Sequence, residues 1–545
     1  MPLYDSPKLL QLAFTLLPRR EFLLSHGQRL TRGAAWSAIR ALAAGLHELG
    51  VRQGERVVTL LPPCPEAVYP LFLPWLLGNI NVPLNPLLRE AELRHILTDC
   101  EASVVITTGR WRGQDFPALL ARLQPELPAL RTVIVCDAER SALHPGQLPY
   151  ADAISCGAAT SCGAATSCGA AIAPPSRRDI APRALSPDDL ALLAYTSGTT
   201  GQIKGVAHTR RRMMALLPRA FGRLFWEPLR CLLTPFPPFH YAGMFSLVSA
   251  LLAGGKIVLL DRFDPRAILE RIERERVDHL AAAPTLYRWL LQTPAAERYD
   301  LRSLRTCTFS TEPCPPELAE GLHRRFGCRV QNIYGATESM VIAWTGAHDS
   351  WECAATTVGR PAPGVRVRIV DEARHPLPAG ATGEIAVQTS QMMTGYYRDP
   401  ALTAQVLDGA GWFYTGDLGA LDSAGYLRLV DRKKDLIIRG GQNVYPAEVE
   451  TCLKQLPGVR QVAVVGIPTA LAGEAIWAYV ELHPGAALGA SEVLAHCRER
   501  LAPFKLPAEL RFVERLPVTA TGKVEKYRLR EWARRESEGA STGKG

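Results

Sequence analysis

From Tyr195 to Gly205 the chain reads Tyr-Thr-Ser-Gly-Thr-Thr-Gly-Gln-Ile-Lys-Gly, so that three glycines, four Ser/Thr hydroxyls and one lysine share one short segment. These residue types suit a polyphosphate cradle. Glycines let the backbone approach anionic oxygens and turn its N–H groups toward them, hydroxyls add donors, and the Lys204 ammonium supplies compensating charge. A Walker A loop needs Ser or Thr after Gly-Lys, whereas Lys204 is followed by Gly205 and Val206, so the segment is not that motif. The plain alternative is a Ser/Thr/Gly-rich surface linker. The apolar run from Leu190 to Ala194 just upstream predicts a short buried strand, from whose end the loop departs, the place where α/β proteins form ligand sites.

The rest of the chain supplies elements that position such a loop. Apolar residues recur at helical spacing from Trp36 to Leu49, and Arg56 to Leu61 reads as a strand. Short apolar runs follow at Val104 to Thr107, Thr132 to Cys136, Ile257 to Leu260 and Leu280 to Ala283, each separated by enough chain for a helix or long loop. That alternation predicts an α/β fold of layers with mainly parallel sheets. Between Val365 and Val387 the texture shifts to shorter alternating runs with Gly and Pro turns, a small antiparallel β unit. Beyond Asp431 a compact α+β pattern runs to Leu529 and predicts a domain boundary near 433. Residues 155–171 are a tandem Ser-Cys-Gly-Ala-Ala-Thr hexapeptide, read as a flexible insertion because it lacks His or acidic partners for a metal. Residues 531–545 form a polar tail.

Composition bounds the function classes. The chain has 545 residues, 47% of them hydrophobic and 21% charged, which is ordinary globular composition with room for roughly three or four domain-sized units. The net charge of +9 fits an anionic ligand, but the arginines are dispersed and form no nucleic-acid module. The consecutive Arg210, Arg211 and Arg212 read as a solvated face. The 13 cysteines are odd in number and show no Cys-x-x-Cys pair, which argues against a disulfide framework or zinc site and for a reducing, cytoplasmic setting. The apolar stretch from Leu9 to Leu17 reads as a surface helix rather than a signal, and the run from Ala242 to Gly255 is too short for the ~18 apolar residues of a membrane span. The sequence leaves room for peripheral membrane contact and for a homodimer.

Five more segments follow the first loop in order: Phe239-His-Tyr-Ala-Gly243, Tyr334-Gly-Ala-Thr-Glu338, Tyr414-Thr-Gly-Asp417, the run from Asp431 through Gly441 to Glu448, and Pro517-Val-Thr-Ala-Thr-Gly-Lys523. Together they resemble the adenylate-forming superfamily, which includes acyl- and aryl-CoA synthetases, firefly luciferase and the adenylation domains of peptide synthetases. The resemblance covers nearly the whole chain, from about Leu24 to Leu529. It implies a large N-terminal domain of layered α/β sheets plus a small β-barrel over 1–433, and a small mobile α+β C-terminal domain over 434–530. It also implies ATP, Mg²⁺ and CoA as cofactors and a carboxylic acid as substrate.

The residue roles that follow are those the resemblance implies. Thr196, Ser197, Gly198, Thr199, Thr200, Gly201 and Lys204 hold the β- and γ-phosphates, with Glu338 and Thr196 on Mg²⁺. Thr337 touches the α-phosphate, Tyr334 stacks on adenine, and Thr311, Glu312 and Pro313 meet its other edge. Asp417 accepts the ribose hydroxyls and Arg432 reaches the ribose and phosphate side. His240 stands beside the substrate carboxylate, and Lys523 bridges that carboxylate and the α-phosphate. Lys434 is the hinge, and Gly440 and Gly441 line the tunnel for the thiol arm. Where the family usually has proline, this chain has Ile203, a change expected to alter ATP affinity at most. Gly335 occupies the position of a tryptophan in acetate-activating relatives, so an open acyl pocket is expected there, with Phe239, Tyr241, Ala242, Met244 and Phe245 around it and a hydrophobic acid larger than acetate as substrate. No aspartate near Phe239 is available to pair with an α-amine, which disfavours amino-acid activation. The alternatives are a ligase loading a carrier protein, a luciferase-like oxygenase and a nucleotide-binding pseudoenzyme.

Overall fold

The computed structural model describes residues 7–155, 185–197, 203–215, 229–260, 264–310, 314–346, 348–432, 435–439, 442–469, 473–501, 503–519 and 523–541. The chain divides into two compact units. The first comprises Met1–Val367, Val387–Phe413 and Ala424–Leu427, and the second Arg368–Ala386, Tyr414–Ser423 and Arg428–Gly545. The division therefore interleaves along the chain instead of falling at one position. Residues 433 and 434, where a boundary was expected, lie outside the described residues, as does the hexapeptide repeat beyond Ser155.

Two sheets organise the first unit. In the eight-stranded sheet the strands Leu190–Ser197, Ile80–Pro83, Arg56–Leu60, Ala102–Thr107, Thr132–Val135 and Gln147–Pro149 lie side by side in that order, and each neighbouring pair is parallel. At one end Ile203–Thr209 joins Leu190–Ser197 antiparallel, and Gly395–Tyr396 closes the edge antiparallel to Ile203–Thr209. Strands flanked by helices on both faces must be apolar on both faces, and all six residues of Ala102–Thr107 are buried. The nine-stranded sheet has a parallel centre, Glu21–Ser25, Lys256–Leu259, Cys231–Thr234, His279–Ala282, Thr306–Phe309 and Arg329–Ala336. Each strand anticipated from the apolar runs is found within three residues of its expected bounds, the largest extension being Leu190–Ser197 past Ala194.

Helix Arg32–Glu48 covers the predicted helical run. The Thr31 hydroxyl accepts the Ala34 amide at 3.2 Å and fixes its start, while Ala35, Ile39, Leu42 and Leu46 form its buried stripe. Helix Pro7–Thr15 forms where a surface helix was expected and is amphipathic. Its Leu10 and Phe14 are buried, and Phe14 packs against Phe22, Trp36 and Phe72 with ring centroids 5.1 to 5.4 Å apart. Lys8, Gln11, Leu12 and Thr15 form its exposed face, and the following Leu16 and Leu17 are exposed as well. The long apolar run forms helix Tyr241–Leu252, and among the described residues no helix is long and apolar enough to cross a membrane.

The arginine triplet is not a solvated face. Arg210 is 4% exposed. Its guanidinium donates to the Ser186 and Pro74 carbonyls at 2.8 and 3.0 Å and pairs with Asp189. Arg212 donates to the carbonyls of Met392 and Met393. Arg211 alone behaves as read, in an exposed pair with Asp188. The reason is that a guanidinium offers five donors and can tie down several loop carbonyls at once, an option a charge count along the sequence does not reveal.

The second unit is built around two smaller sheets. Strands Arg366–Val370, Thr382–Gln388, Phe413–Leu421 and Leu427–Arg432 form a four-stranded sheet where a small β-barrel was implied, and each of the four includes residues assigned to the first unit. Strands Val459–Thr469 and Gly473–Leu482 form a long antiparallel hairpin at the centre of the other sheet, with Glu509–Val513 parallel to the latter and Ile437–Arg439 antiparallel to it. Helices Pro446–Lys454, Ala490–Arg500 and Lys526–Ser541 complete this α+β unit. Among the described residues all cysteines are free, as expected.

Candidate active site

In the first unit, His240 and the Tyr334 to Glu338 motif stand at or just beyond the carboxyl ends of parallel strands. His240 follows Cys231–Thr234, residues 311–313 follow Thr306–Phe309, and the Tyr334 to Glu338 motif closes Arg329–Ala336. In α/β sheets this edge is where backbone ends and loops converge on a ligand. The Tyr195 to Gly205 segment turns out to link two antiparallel strands, because Ser197 pairs with Ile203 and Thr196 with Lys204. Gly198, Thr199, Thr200 and Gly201 lie outside the described residues.

Strand alternation explains what the hairpin presents. Lys204, Val206 and His208 share one face of Ile203–Thr209, and Thr196, directly opposite Lys204, shares it too. Gly205 points to the other face, where an added Cβ would sit 3.1 Å from the Tyr195 ring, so glycine is needed there for close approach. The turn between Arg329–Ala336 and Met340–Trp344 lies over the Lys204 face and is held at three points. The His208 Nε2–H donates to the Thr337 carbonyl at 2.7 Å, the Met393 amide donates to the Glu338 carbonyl at 2.6 Å, and the Tyr396 hydroxyl donates to Glu338 Oε1 at 2.9 Å.

Lys204 completes the arrangement. Its Nζ donates to the Tyr396 hydroxyl, lies 3.2 Å from Glu338 Oε1 and stands 3.9 Å from the Tyr396 ring centroid. An ammonium and a carboxylate thus sit at the end of a glycine-rich hairpin, with the buried Thr196 Oγ1 beside them lacking a hydrogen-bond partner. A buried hydroxyl without a partner is costly and marks a place prepared for one. The donor set, one hard carboxylate and one hydroxyl oxygen with an adjacent cation, fits a phosphate-bound Mg²⁺.

Burial sets the protonation states. It pulls His208 down to about 4, with the nearby Arg212 acting in the same direction against the Thr337 hydrogen bond, so the ring is neutral near pH 7 and Nδ1 is an unpaired acceptor. His240 is likewise pulled down to about 4 by burial. Its Nδ1 accepts the Ala242 amide at 3.2 Å, capping helix Tyr241–Leu252; a neutral ring with Nδ1 as acceptor carries its proton on Nε2, a single donor for a carboxylate. Burial, and then the Glu338 charge, hold the Tyr396 hydroxyl above its usual range.

The remaining expected residues are distributed as follows. Tyr334 is 7% exposed and leaves little ring face open. Gly335 is exposed, yet an added Cβ would lie 2.2 Å from the Met340 carbonyl oxygen, so a side chain cannot be built there without moving that strand. Met244 belongs to the hydrophobic core, whereas Tyr241 and Phe245 are half-buried neighbours with centroids 6.2 Å apart. In the second unit Asp417 is mostly buried in strand Phe413–Leu421, its amide donating to Thr415 Oγ1 at 3.1 Å, and Arg432 ends strand Leu427–Arg432. Lys523 is exposed, and the Thr519 amide donates to its carbonyl at 2.8 Å. Thr311, Glu312, Pro313, Lys434, Gly440 and Gly441 lie outside the described residues. Sequence reading passed over Tyr396 and His208. Both are reached only through sheet pairing, although Tyr396 sits in a Gly-Tyr-Tyr run that signals a constrained strand edge.

Comparison with known proteins agrees with this geometry. Residues 12–397 match the family model described as AMP-binding enzyme, and residues 448–523 match that of the AMP-binding enzyme C-terminal domain. The chain is 36% identical over 519 residues to a feruloyl-CoA synthase from an Amycolatopsis species, covering 92% of this chain and 94% of that protein. It is 34% identical over 513 residues to an indoleacetate–CoA ligase from Aromatoleum aromaticum, covering 92% of each. Among solved structures it resembles the amide bond synthetase McbA from Marinactinospora thermotolerans with a TM-score of 0.81 and 31% identity, covering 96% of this chain and 99% of that one.

Proposed function

Because this chain belongs to the AMP-binding enzyme family, we propose that it is an AMP-forming acid:CoA ligase acting on a hydrophobic aryl or medium- to long-chain acid. The observation that carries the reading is the Lys204, Tyr396 and Glu338 constellation beside the unpartnered Thr196 hydroxyl, at the end of a glycine-rich hairpin. Full-length similarity to ligases of feruloyl and indoleacetate substrates supports the CoA acceptor and the acid class.

A carboxylate is a poor acyl donor, since its charge repels nucleophiles and oxide does not leave. ATP removes both obstacles. A carboxylate oxygen of the acid attacks the α-phosphorus, the bond to pyrophosphate breaks, and acyl-AMP forms; the CoA thiol then attacks the acyl carbon, gives up its proton, and AMP departs. Both steps gather negative charge, so positioned cations and donors contribute most of the rate. Lys204 counters charge on the phosphates, and the His240 Nε2–H orients the acid carboxylate. Glu338 and Thr196 are the residues that would hold Mg²⁺, which, when bound, offsets the charge of the phosphates. Asp417 accepts from the ribose hydroxyls, Arg432 meets the ribose and phosphate side, and Lys523 meets the charge that builds at the α-phosphate.

A second acceptor merits inclusion because of the structural likeness to an amide bond synthetase. Purified enzyme is to be assayed for acid-dependent pyrophosphate release over a panel of aryl and fatty acids, then with CoA or a primary amine as acceptor. Pyrophosphate release with thioester formation is expected. Release followed only by amide product would transfer the reading to the second acceptor, and no acid-dependent release at all would sink it.

A further inference from the structure

The hydroxyl of Tyr396 is shared between the two charged groups of the site. Strand pairing brings it there: Tyr396 is opposite Val206, and Lys204 lies two residues along the same face. The backbone is pinned as well, since the Tyr396 amide donates to Thr403 Oγ1 at 2.9 Å. The side chain is 5% exposed, so its position is set by the sheet edge and not by solvent.

An ammonium and a carboxylate with side-chain exposures of 21% and 13% attract more strongly than they would in water. They already meet at 3.2 Å, and both must be held in orientation while an incoming nucleotide engages them. A hydroxyl that accepts from Lys204 and donates to Glu338 satisfies both without neutralising either, and the ring beneath the ammonium holds Lys204 independently of the hydroxyl. We propose that Tyr396 is a positioning residue for the nucleotide step, its hydroxyl keeping Glu338 and Lys204 oriented toward Mg²⁺–ATP and its ring holding the lysine. The inference rests on the adenylation reading given above.

The hydroxyl and the ring make separable predictions. Equilibrium binding of Mg²⁺–ATP is to be measured by calorimetry for Tyr396→Phe and Tyr396→Ala, each alone and combined with Glu338→Gln. Tyr396→Phe is expected to weaken binding about tenfold by loss of a charge-assisted hydrogen bond, yet by less than about twofold in the Glu338→Gln background, because contacts acting through one partner are non-additive. Tyr396→Ala is expected to weaken binding further in both backgrounds, since it also removes the ring. Tyr396→Phe should keep the wild-type circular-dichroism spectrum, so that weaker binding reports the site and not lost folding. Equal losses in both backgrounds, or no loss in the wild-type background, would overturn the positioning role. Wild-type protein that fails to bind Mg²⁺–ATP would instead overturn the adenylation reading, a distinct result.

Discussion

Three histidines show how a residue's surroundings outweigh its type. His208, His240 and His279 are each pulled down to about 4 by burial. In the unfolded chain a histidine titrates near ~6.5, so between about 6.5 and 4 the unfolded state binds protons that the folded state does not. Folded stability is therefore fully present above ~6.5 and is lost as pH falls through this window, by up to ~1.4 kcal/mol per pH unit per ring. The melting temperature should be flat from about pH 7.5 to 6.5 and drop toward pH 5, with a shallower drop in His208→Gln, whose amide can still donate to the Thr337 carbonyl. A drop of equal steepness in that variant would exclude His208 as a contributor. None of this can be read from the sequence around His208, where the residue is simply one polar position in an apolar strand.

At the scale of elements, the hairpin formed by Arg329–Ala336 and Met340–Trp344 matters most, because its turn carries Thr337 and Glu338. Met340 takes a positive φ of 60°, uncommon outside glycine, and its carbonyl faces Gly335 at a distance that excludes a side chain. Gly335 therefore permits the hairpin to close, and a side chain placed there disturbs this strand whatever acyl pocket adjoins its exposed face. Even Gly335→Ala must shift the strand that aims Glu338, at a cost of ~1–3 kcal/mol as for other overpacked sites. We expect it to lower the melting temperature and to reduce acid-dependent pyrophosphate release by a similar factor for acetate, octanoate and aryl acids. Selective loss on large acids alone would instead show that Gly335 lines the acyl pocket. Helix Pro7–Thr15 and the arginine triplet teach the same lesson, since amphipathic spacing identified an element and left open which side would find a partner.

Across the whole molecule, the candidate site residues are divided between two compact units. Lys204, His208, His240, Glu338 and Tyr396 belong to the first, while Asp417, Arg432 and Lys523 belong to the second. A reaction in two halves suits such a division, because a residue needed in one half need not serve the other. Lys523→Ala is expected to reduce acid-dependent pyrophosphate release by a factor of ~100 or more, the scale of a lost transition-state cation, and to leave thioester formation from supplied acyl-AMP within about twofold of wild type. Equal impairment of both halves would show that the lysine serves the fold or both steps.

The sequence by itself determined the chemistry and the order of elements. Gly, Ser/Thr and Lys clustered after an apolar run announce an anion site at a strand end, and alternating apolar periodicities announce an α/β chain, since both signals are local and rest on backbone freedom and burial. Only the tertiary structure decided which residues meet. Tyr396 is separated from Lys204 by 192 positions and from Glu338 by 58, and no local pattern encodes a contact made through antiparallel pairing at a sheet edge. The same holds for Arg210, buried against carbonyls from distant loops, and for Gly335, whose necessity arises from the strand that folds back across it. Periodicity specifies which face of an element is apolar; the identity of the group that arrives opposite a polar atom is settled when separate sheets pack and each buried donor must find an acceptor.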